Sequence, residues 1–254
     1  EFRRVLFRSI STVASLVVAG CGVPVAKHGN RAVSGHCGSA DVLEQLGVRI
    51  DAPLDTVQRC LDEAGWAFLF APAFHASTRH AAAPRRELGV RTVFNLLGPL
   101  TNPALPEAQV VGVPRPELTE LVAHCLGRLG VRRAWVVHGG GLDELSPAAS
   151  SRVSECRGGA VRTFTVAPVD AGCSPCALED LTGGDAPANA SIARAVLAGR
   201  PGAPREAVVL NAAAALLVAG RAADLAEGGR LARESLDSGS AATVLQRVAG
   251  LTGR

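Results

Sequence analysis

Residues Val23–Val48, VPVAKHGNRAVSGHCGSADVLEQLGV, decide how this chain folds. The run opens on a short apolar strand, Val23-Pro24-Val25-Ala26, and closes on the helical pattern Asp41–Leu46. Between them stand Lys27-His28-Gly29-Asn30-Arg31 and Gly38-Ser39-Ala40-Asp41, which set cationic, amide and hydroxyl groups beside glycines. A strand–loop–helix unit of this kind builds α/β sheets, and its loop has the chemistry of a site for a multiply charged phosphate ligand. Glycines let backbone N–H groups come close to phosphate oxygens, and a helix starting at Ser39 would aim its positive end at the same anion. Lys27 and Arg31 add mobile charge. The competing reading is a solvated basic loop, and local chemistry alone leaves the two open.

Working outward, strand-like runs at Ala67–Phe70, Gln109–Val113, Ala134–Val137 and Val161–Val166 alternate with helical patterns at Asp55–Ala64 and Pro116–Leu129. The chain therefore reads as α/β, a mainly parallel sheet flanked by helices. Upstream, Ile10–Cys21 is rich in Ala and Val and reads as a buried helix opening at Ser11-Thr12. Those hydroxyls suit an N-cap and equally a phosphate or metal contact. From Asn189 onward three or four helices are expected to cover the sheet, with Pro201-Gly202-Ala203-Pro204 as a turn between two of them.

Composition narrows the function classes. The 254 residues are 48% hydrophobic, enough for a sizeable core. A formal charge of +3 arises from 26 basic and 23 acidic residues that are interspersed, which suits a basic small-molecule pocket better than a nucleic-acid stripe. With Trp66, Trp135, seven Phe and no Tyr there is little material for stacking bases. The longest apolar stretches, Val13–Ala26 and Ala207–Ala219, are shorter than the roughly 18 uninterrupted apolar residues of a membrane span. Seven scattered cysteines suggest free thiols in a reducing cytosol, and the Cys173-Ser174-Pro175-Cys176 spacing lacks the second pair that a zinc site needs. Glu1–Ser9, EFRRVLFRS, is Arg-rich and unlike the rest of the chain, so 1–9 is set apart as an adaptor-derived segment and 10–254 as one α/β domain. The absence of methionine points to a chain that is not a complete translation product.

Two further constellations carry chemistry. Asp143-Glu144 come after Trp135-Val136-Val137-His138 and three glycines, which places adjacent carboxylates just beyond a strand's carboxyl end, where α/β sheets bind ligands. Hard oxygen ligands in pairs suit Mg²⁺ shared with a substrate phosphate, although an acidic pair at a helix start is the plainer alternative. His28 and His75 are candidates for neutral hydrogen-bonding groups, and Arg85 or Arg86 for a carboxylate clamp.

The Val23–Val48 run, Phe68–His75 (FLFAPAFH), Arg85–Pro103 (RRELGVRTVFNLLGPLTNP) and His138–Ser146 (HGGGLDELS) resemble, in this order, the anthranilate phosphoribosyltransferase family. Gly183–Gly199 and Val208–Gly220 resemble it more loosely. The resemblance implies transfer of a phosphoribosyl group from phosphoribosyl pyrophosphate (PRPP) to the amine of anthranilate in tryptophan biosynthesis. It implies donor contacts at Ser11, Thr12, Lys27, His28, Gly29, Asn30, Arg31, Ser34 and Ser39, and anthranilate contacts at Asn30, His28, His75 and Arg85. Mg²⁺ would rest on Ser11, Asp143 and Glu144. No side chain is assigned as acid, base or nucleophile, because such a transfer runs on positioning and electrostatics. Asn95 and Asn102 are read as turn and packing residues.

The family's phosphate loop upstream of an Asn-Ile-Ser-Thr element is absent, Ser9 stands in place of that Asn, and most of the small helical domain is expected to be missing at the N-terminus. Residues 72–103 would pack with that domain, through which the family forms a cytoplasmic homodimer. The rival readings are a pyrimidine nucleoside phosphorylase and a non-catalytic nucleic-acid-binding relative of the fold.

Overall fold

The computed structural model describes residues 7, 9–31, 37–75, 87 and 94–253. Its elements run α1 (Ile10–Gly20), β1 (Val25–Gly29), α2 (Ser39–Gln45), α3 (Leu54–Ala64), β2 (Trp66–Phe70), α4 (Ala71–Phe74) and α5 (Phe94–Leu97). They continue with β3 (Ala108–Gly112), α6 (Leu118–Arg128), β4 (Arg133–Gly139), β5 (Ser151–Arg157) and β6 (Ala160–Val166). Four helices close the chain: α7 (Ala186–Leu197), α8 (Ala203–Val218), α9 (Leu225–Asp237) and α10 (Ser240–Thr252).

The α/β class and the flanking helices are as the sequence implied; the strand directions are more mixed. β1 and β2 pair in parallel as a two-stranded sheet, and β3 and β4 pair in parallel at the start of a four-stranded sheet. Each parallel pair is joined by a crossover containing a helix, which parallel strands require. β4, β5 and β6 then continue antiparallel. The sequence reading passed over β5 because Ser151-Arg152-Val153-Ser154-Glu155-Cys156-Arg157 is mostly polar. In the fold its serines and Glu155 are buried: Ser154 Oγ donates to Thr119 Oγ1 at 2.9 Å and lies 2.9 Å from Thr163 Oγ1. The β5–β6 turn is a two-residue loop of Gly158 (φ 58°) and Gly159 (φ 84°), both with positive φ, the geometry that matches hairpin twist.

The main core gathers around α1 and α8. α1 is buried on nearly all sides, through Ile10, Val13, Leu16, Val17 and Val18, as an apolar helix must be when other helices surround it. It packs on α8 and α10, and Ser235 Oγ on α9 donates to the Val17 carbonyl at 3.0 Å. α8 also lies against β3 and β4, so the C-terminal helices cover both α1 and the sheet. A smaller cluster, Val111, Val113, Val122, Leu126 and Val136 among others, fills the space between α6 and the larger sheet. In the segment set apart at the N-terminus, Phe7 and Ser9 are described and both are buried; Phe7 N–H donates to the Leu181 carbonyl at 2.8 Å.

Candidate active site

Three separated stretches meet where α1 begins. The first N–H groups of a helix lack an intrahelical acceptor, and Ser11, in the first turn of α1, donates its N–H to Glu144 Oε1 at 3.1 Å. Its hydroxyl accepts from Lys27 Nζ of β1 at 3.3 Å. The helix opens at Ile10, so Ser11 and Thr12 are not caps, which corrects one of the alternatives drawn from sequence. Ser9 is the N-cap residue but makes no side-chain capping bond, and the buried hydroxyls of Ser9 and Thr12 have no partner among the described residues. Buried polar atoms without partners cost free energy unless a ligand or water meets them.

The electrostatics of this junction are unbalanced. Burial pushes the Glu144 carboxyl up to about 7, against the Ser11 N–H and Lys27, which lower it, and with neighbouring Asp143 adding to the rise. Burial likewise lowers Lys27, and only the field of Glu144 opposes that. Asp143 is exposed and Glu144 half-buried, so neither carboxylate is sealed in the core. Charged groups held short of compensation where separate segments meet mark a candidate site. Among the described residues no group of three His, Cys, Asp or Glu forms a protein-only metal cage. Mg²⁺ needs none, since it is held by one or two carboxylates with substrate phosphate and water.

A second feature lies along β1. His28 Nδ1 is 3.2 Å from the Gly98 carbonyl, which can only accept, so Nδ1 carries the proton and Nε2 of the neutral ring is the acceptor. His75 Nε2, 3.2 Å away, therefore donates to it. Burial, then the neighbouring His75, lower the His28 pKa, so this ring stays neutral at physiological pH. Asn102 holds this region together by donating from Nδ2 to the Ala26 carbonyl at 3.0 Å, the packing role read for it. The side chain of Asn95 lies outside the described residues.

The remaining loop residues are drawn towards α2. Ser39 Oγ donates to the Asn30 carbonyl at 3.2 Å, and Asn30 Oδ1 accepts from Arg31 N–H at 2.8 Å. Gly29 is required by close approach, because a Cβ there would crowd Ser39 Oγ and the Phe68 ring. Arg31 is committed to a two-pronged pair with Glu44, at 2.5 and 2.7 Å, with Asp41 at 3.3 Å. The first turn of α2 already carries a carboxylate, since Asp41 Oδ2 accepts from Gly38 N–H at 2.8 Å. Ser34 and Arg85, named from sequence, and Arg86 beside them lie outside the described residues.

The Asp143-Glu144 loop is seated by residues that the sequence reading did not single out. A Cβ on Gly112, at the end of β3, would overlap the Asp143 carbonyl, and one on Gly139 would crowd Ser151 Oγ and the Glu144 carbonyl. Gly112→Ala is expected to lower stability by about 1–3 kcal/mol through overpacking; thermal melting checks this, and an unchanged midpoint would show that the loop yields freely. Asn211, in the middle of the apolar run Val208–Gly220, is buried against the same loop. A lone amide in an Ala- and Val-rich helix was the available signal.

The Cys173–Cys176 pair does not behave as a metal or redox site. Burial, followed by the nearby Glu206, pushes the Cys173 thiol up to about 11, opposite to the lowered value that thiolate chemistry needs.

The family described as "Glycosyl transferase family, a/b domain" matches residues 6–242. The anthranilate phosphoribosyltransferase of Moorella thermoacetica is 58% identical over 239 residues, covering 94% of this chain and 70% of that protein. The crystal structure of the Thermus thermophilus enzyme of the same name superposes with a TM-score of 0.93 at 47% identity, over 99% of this chain and 75% of that one. The Saccharomyces cerevisiae enzyme in complex with PRPP and Mg superposes with a TM-score of 0.86 at 28% identity, over 96% of this chain and 69% of that one. With the fold, the order of the motifs and these relatives in agreement, the chain belongs to the anthranilate phosphoribosyltransferase family.

Proposed function

We propose that the cleft between the start of α1, β1 and the 142–146 loop transfers the phosphoribosyl group of PRPP to the amine of anthranilate, giving N-(5-phosphoribosyl)anthranilate and pyrophosphate. The chain thus serves tryptophan biosynthesis as a glycosyltransferase. The observation that carries this placement is the hydrogen-bonded relay Glu144–Ser11–Lys27, which links three sequence-distant elements at an opening. The unpartnered Ser9 and Thr12 hydroxyls at the same helix start support an oxygen-rich ligand there.

Ser11, Asp143 and Glu144 would hold Mg²⁺, whose chemistry when bound is to neutralise charge on the departing pyrophosphate. Lys27, His28, Gly29, Asn30, Ser34 and Ser39 would cradle the donor, as would Thr12 if its buried hydroxyl reaches a phosphate oxygen. Arg31 joins them once freed from Glu44. Lys27 brings a positive charge that the fold leaves undersupplied with partners, so an incoming phosphate compensates it. His28 and His75, with Asn30 and Arg85, would receive anthranilate. The neutral His28 ring adds no positive charge beside the incoming amine, its Nδ1 proton being held by the Gly98 carbonyl. Positioning of the two substrates supplies most of the acceleration, as fixed neighbours replace a bimolecular encounter.

We further place the enzyme in the cytosol as a homodimer. Seven free cysteines support a reducing compartment. Among the described residues no helix is long and apolar enough to cross a membrane.

The test is the loss of anthranilate fluorescence on adding PRPP and Mg²⁺ to the folded chain. Mg²⁺-dependent loss is expected; silence from the folded chain overturns the assignment. His28→Ala is expected to raise the KM for anthranilate about tenfold, because it removes the acceptor that orients His75 and so misplaces that ring, a loss of ~1.4 kcal/mol. An unchanged KM would remove His28 from the acceptor site.

A further inference from the structure

Asn211 makes three hydrogen bonds with its side-chain amide. Its Oδ1 accepts from Leu145 N–H at 3.0 Å, and its Nδ2 donates to the Leu145 carbonyl at 2.9 Å and to the Ala207 carbonyl of its own helix at 2.9 Å. An amide that satisfies both backbone groups of one residue replaces a strand partner, so Leu145 is held as if paired in a sheet. Leu145 is fully buried and directly follows Glu144. On the other flank, Ser146 N–H donates to Ser151 Oγ at 3.0 Å. Gly112 and Gly139 let the loop backbone lie directly on the ends of β3 and β4. The carboxylates therefore project from a backbone clamped to α8 on one side and to the sheet on the other.

We infer that Asn211 is a positioning residue: it fixes the Asp143-Glu144 backbone in the geometry that binds the divalent cation. This rests on the reading of Asp143 and Glu144 as cation ligands. Asn211 joins both backbone groups of the residue next to Glu144, so removing its side chain frees that backbone. Partners that orient metal ligands typically change metal affinity about 10- to 100-fold when removed.

The experiment measures Mn²⁺ binding in the presence of PRPP by electron paramagnetic resonance for the unaltered chain, Asn211→Ala and Asp143→Asn, with circular dichroism to establish folding. Asn211→Ala is expected to weaken Mn²⁺ about tenfold. In turnover it should raise the Mg²⁺ concentration for half-maximal rate by a similar factor while kcat at saturating Mg²⁺ changes less than twofold. A purely structural role would lower kcat and leave the Mg²⁺ requirement unmoved, which would overturn the inference. Weakened Mn²⁺ in Asp143→Asn together with unchanged Mn²⁺ in Asn211→Ala would overturn it too, with the cation site intact. Unchanged Mn²⁺ in Asp143→Asn would instead overturn the cation site itself, and the inference with it. Should Asn211→Ala not fold, Ser151→Ala loosens the other flank of the loop: an approximately threefold loss of Mn²⁺ affinity supports the clamp, and no loss rejects it.

Discussion

A chain carrying both Asp143→Asn and Glu144→Gln is expected to lose Mg²⁺-dependent formation of phosphoribosylanthranilate by at least ~100-fold while keeping its fold. Removing a fixed group that meets charge developing on a leaving group costs about that much. Asp143 is exposed and Glu144 half-buried, so neither is needed to fill the core. Glu144→Gln alone should also stabilise the protein in metal-free buffer. The Glu144 carboxyl stands at about 7 in the folded chain against an ordinary value of 4.5, so the folded state holds its proton more tightly than the unfolded state does. Between those two values folding takes up a proton, and stability falls as pH rises through that window and stays lowered above it. The advantage of Glu144→Gln should therefore be absent below pH 4.5, grow towards pH 7 and level off beyond, on the order of 1–3 kcal/mol. Urea unfolding at about pH 5 and about pH 8 reads this directly; equal stability of the two chains at the higher pH would show that Ser11 and Lys27 compensate the carboxylate fully.

Glu155→Ala should have the opposite character: a large loss of stability. Glu155 is 1% exposed and lies at the centre of the β4–β5–β6 sheet. It accepts from Arg133 Nε at 2.8 Å, Trp135 Nε1 at 3.1 Å and Arg162 Nε at 2.7 Å. Arg133, 17% exposed, also donates to the Leu217 carbonyl at 2.6 Å, so the network ties the sheet to α8. Removing the carboxylate leaves a nearly buried guanidinium and an indole N–H without acceptors, which costs about 3–5 kcal/mol. For a domain of this size that corresponds to a fall in Tm of roughly 6–20 °C. A change under about 2 °C would mean that water replaces the carboxylate at no cost.

The pH signature is also reversed relative to Glu144. Burial alone would raise the Glu155 pKa, but the hydrogen bonds from Arg133, Trp135 and Arg162 together hold it below the ordinary 4.5. Its contribution is complete above that value and disappears as pH falls through the lowered one. Glu155→Ala should therefore show a weaker dependence of stability on pH in the acid range than the unaltered chain. Two glutamates eleven residues apart in sequence thus titrate in opposite directions, because the donors around Glu155 outweigh its burial whereas burial of Glu144 outweighs Ser11 and Lys27.

Much of this was legible in the amino-acid string. Local apolar runs placed β1, β2, β3, β4 and β6 within a few residues, and helix periodicity placed α3 and α6, because these elements bury one face or both against neighbours. The ordered motifs around Lys27, His75 and Asp143 identified the family before any coordinates, and the comparisons agree. β5 was not legible: its burial depends on hydroxyl and guanidinium partners on α6, β4 and β6, which lie 7 to 35 residues away in sequence.

The sequence by itself determined the α/β class, the family and the chemical types at the cleft, since these follow from side-chain identity and local spacing. Only the tertiary structure decided which groups share a field. It set Ser11 between Glu144 and Lys27, committed Arg31 to Glu44, fixed the tautomers of His28 and His75, and put Asn211 beneath the acidic loop. Each of these is a contact between residues brought together by packing, where burial strips away water and a single partner decides a charge or a backbone position.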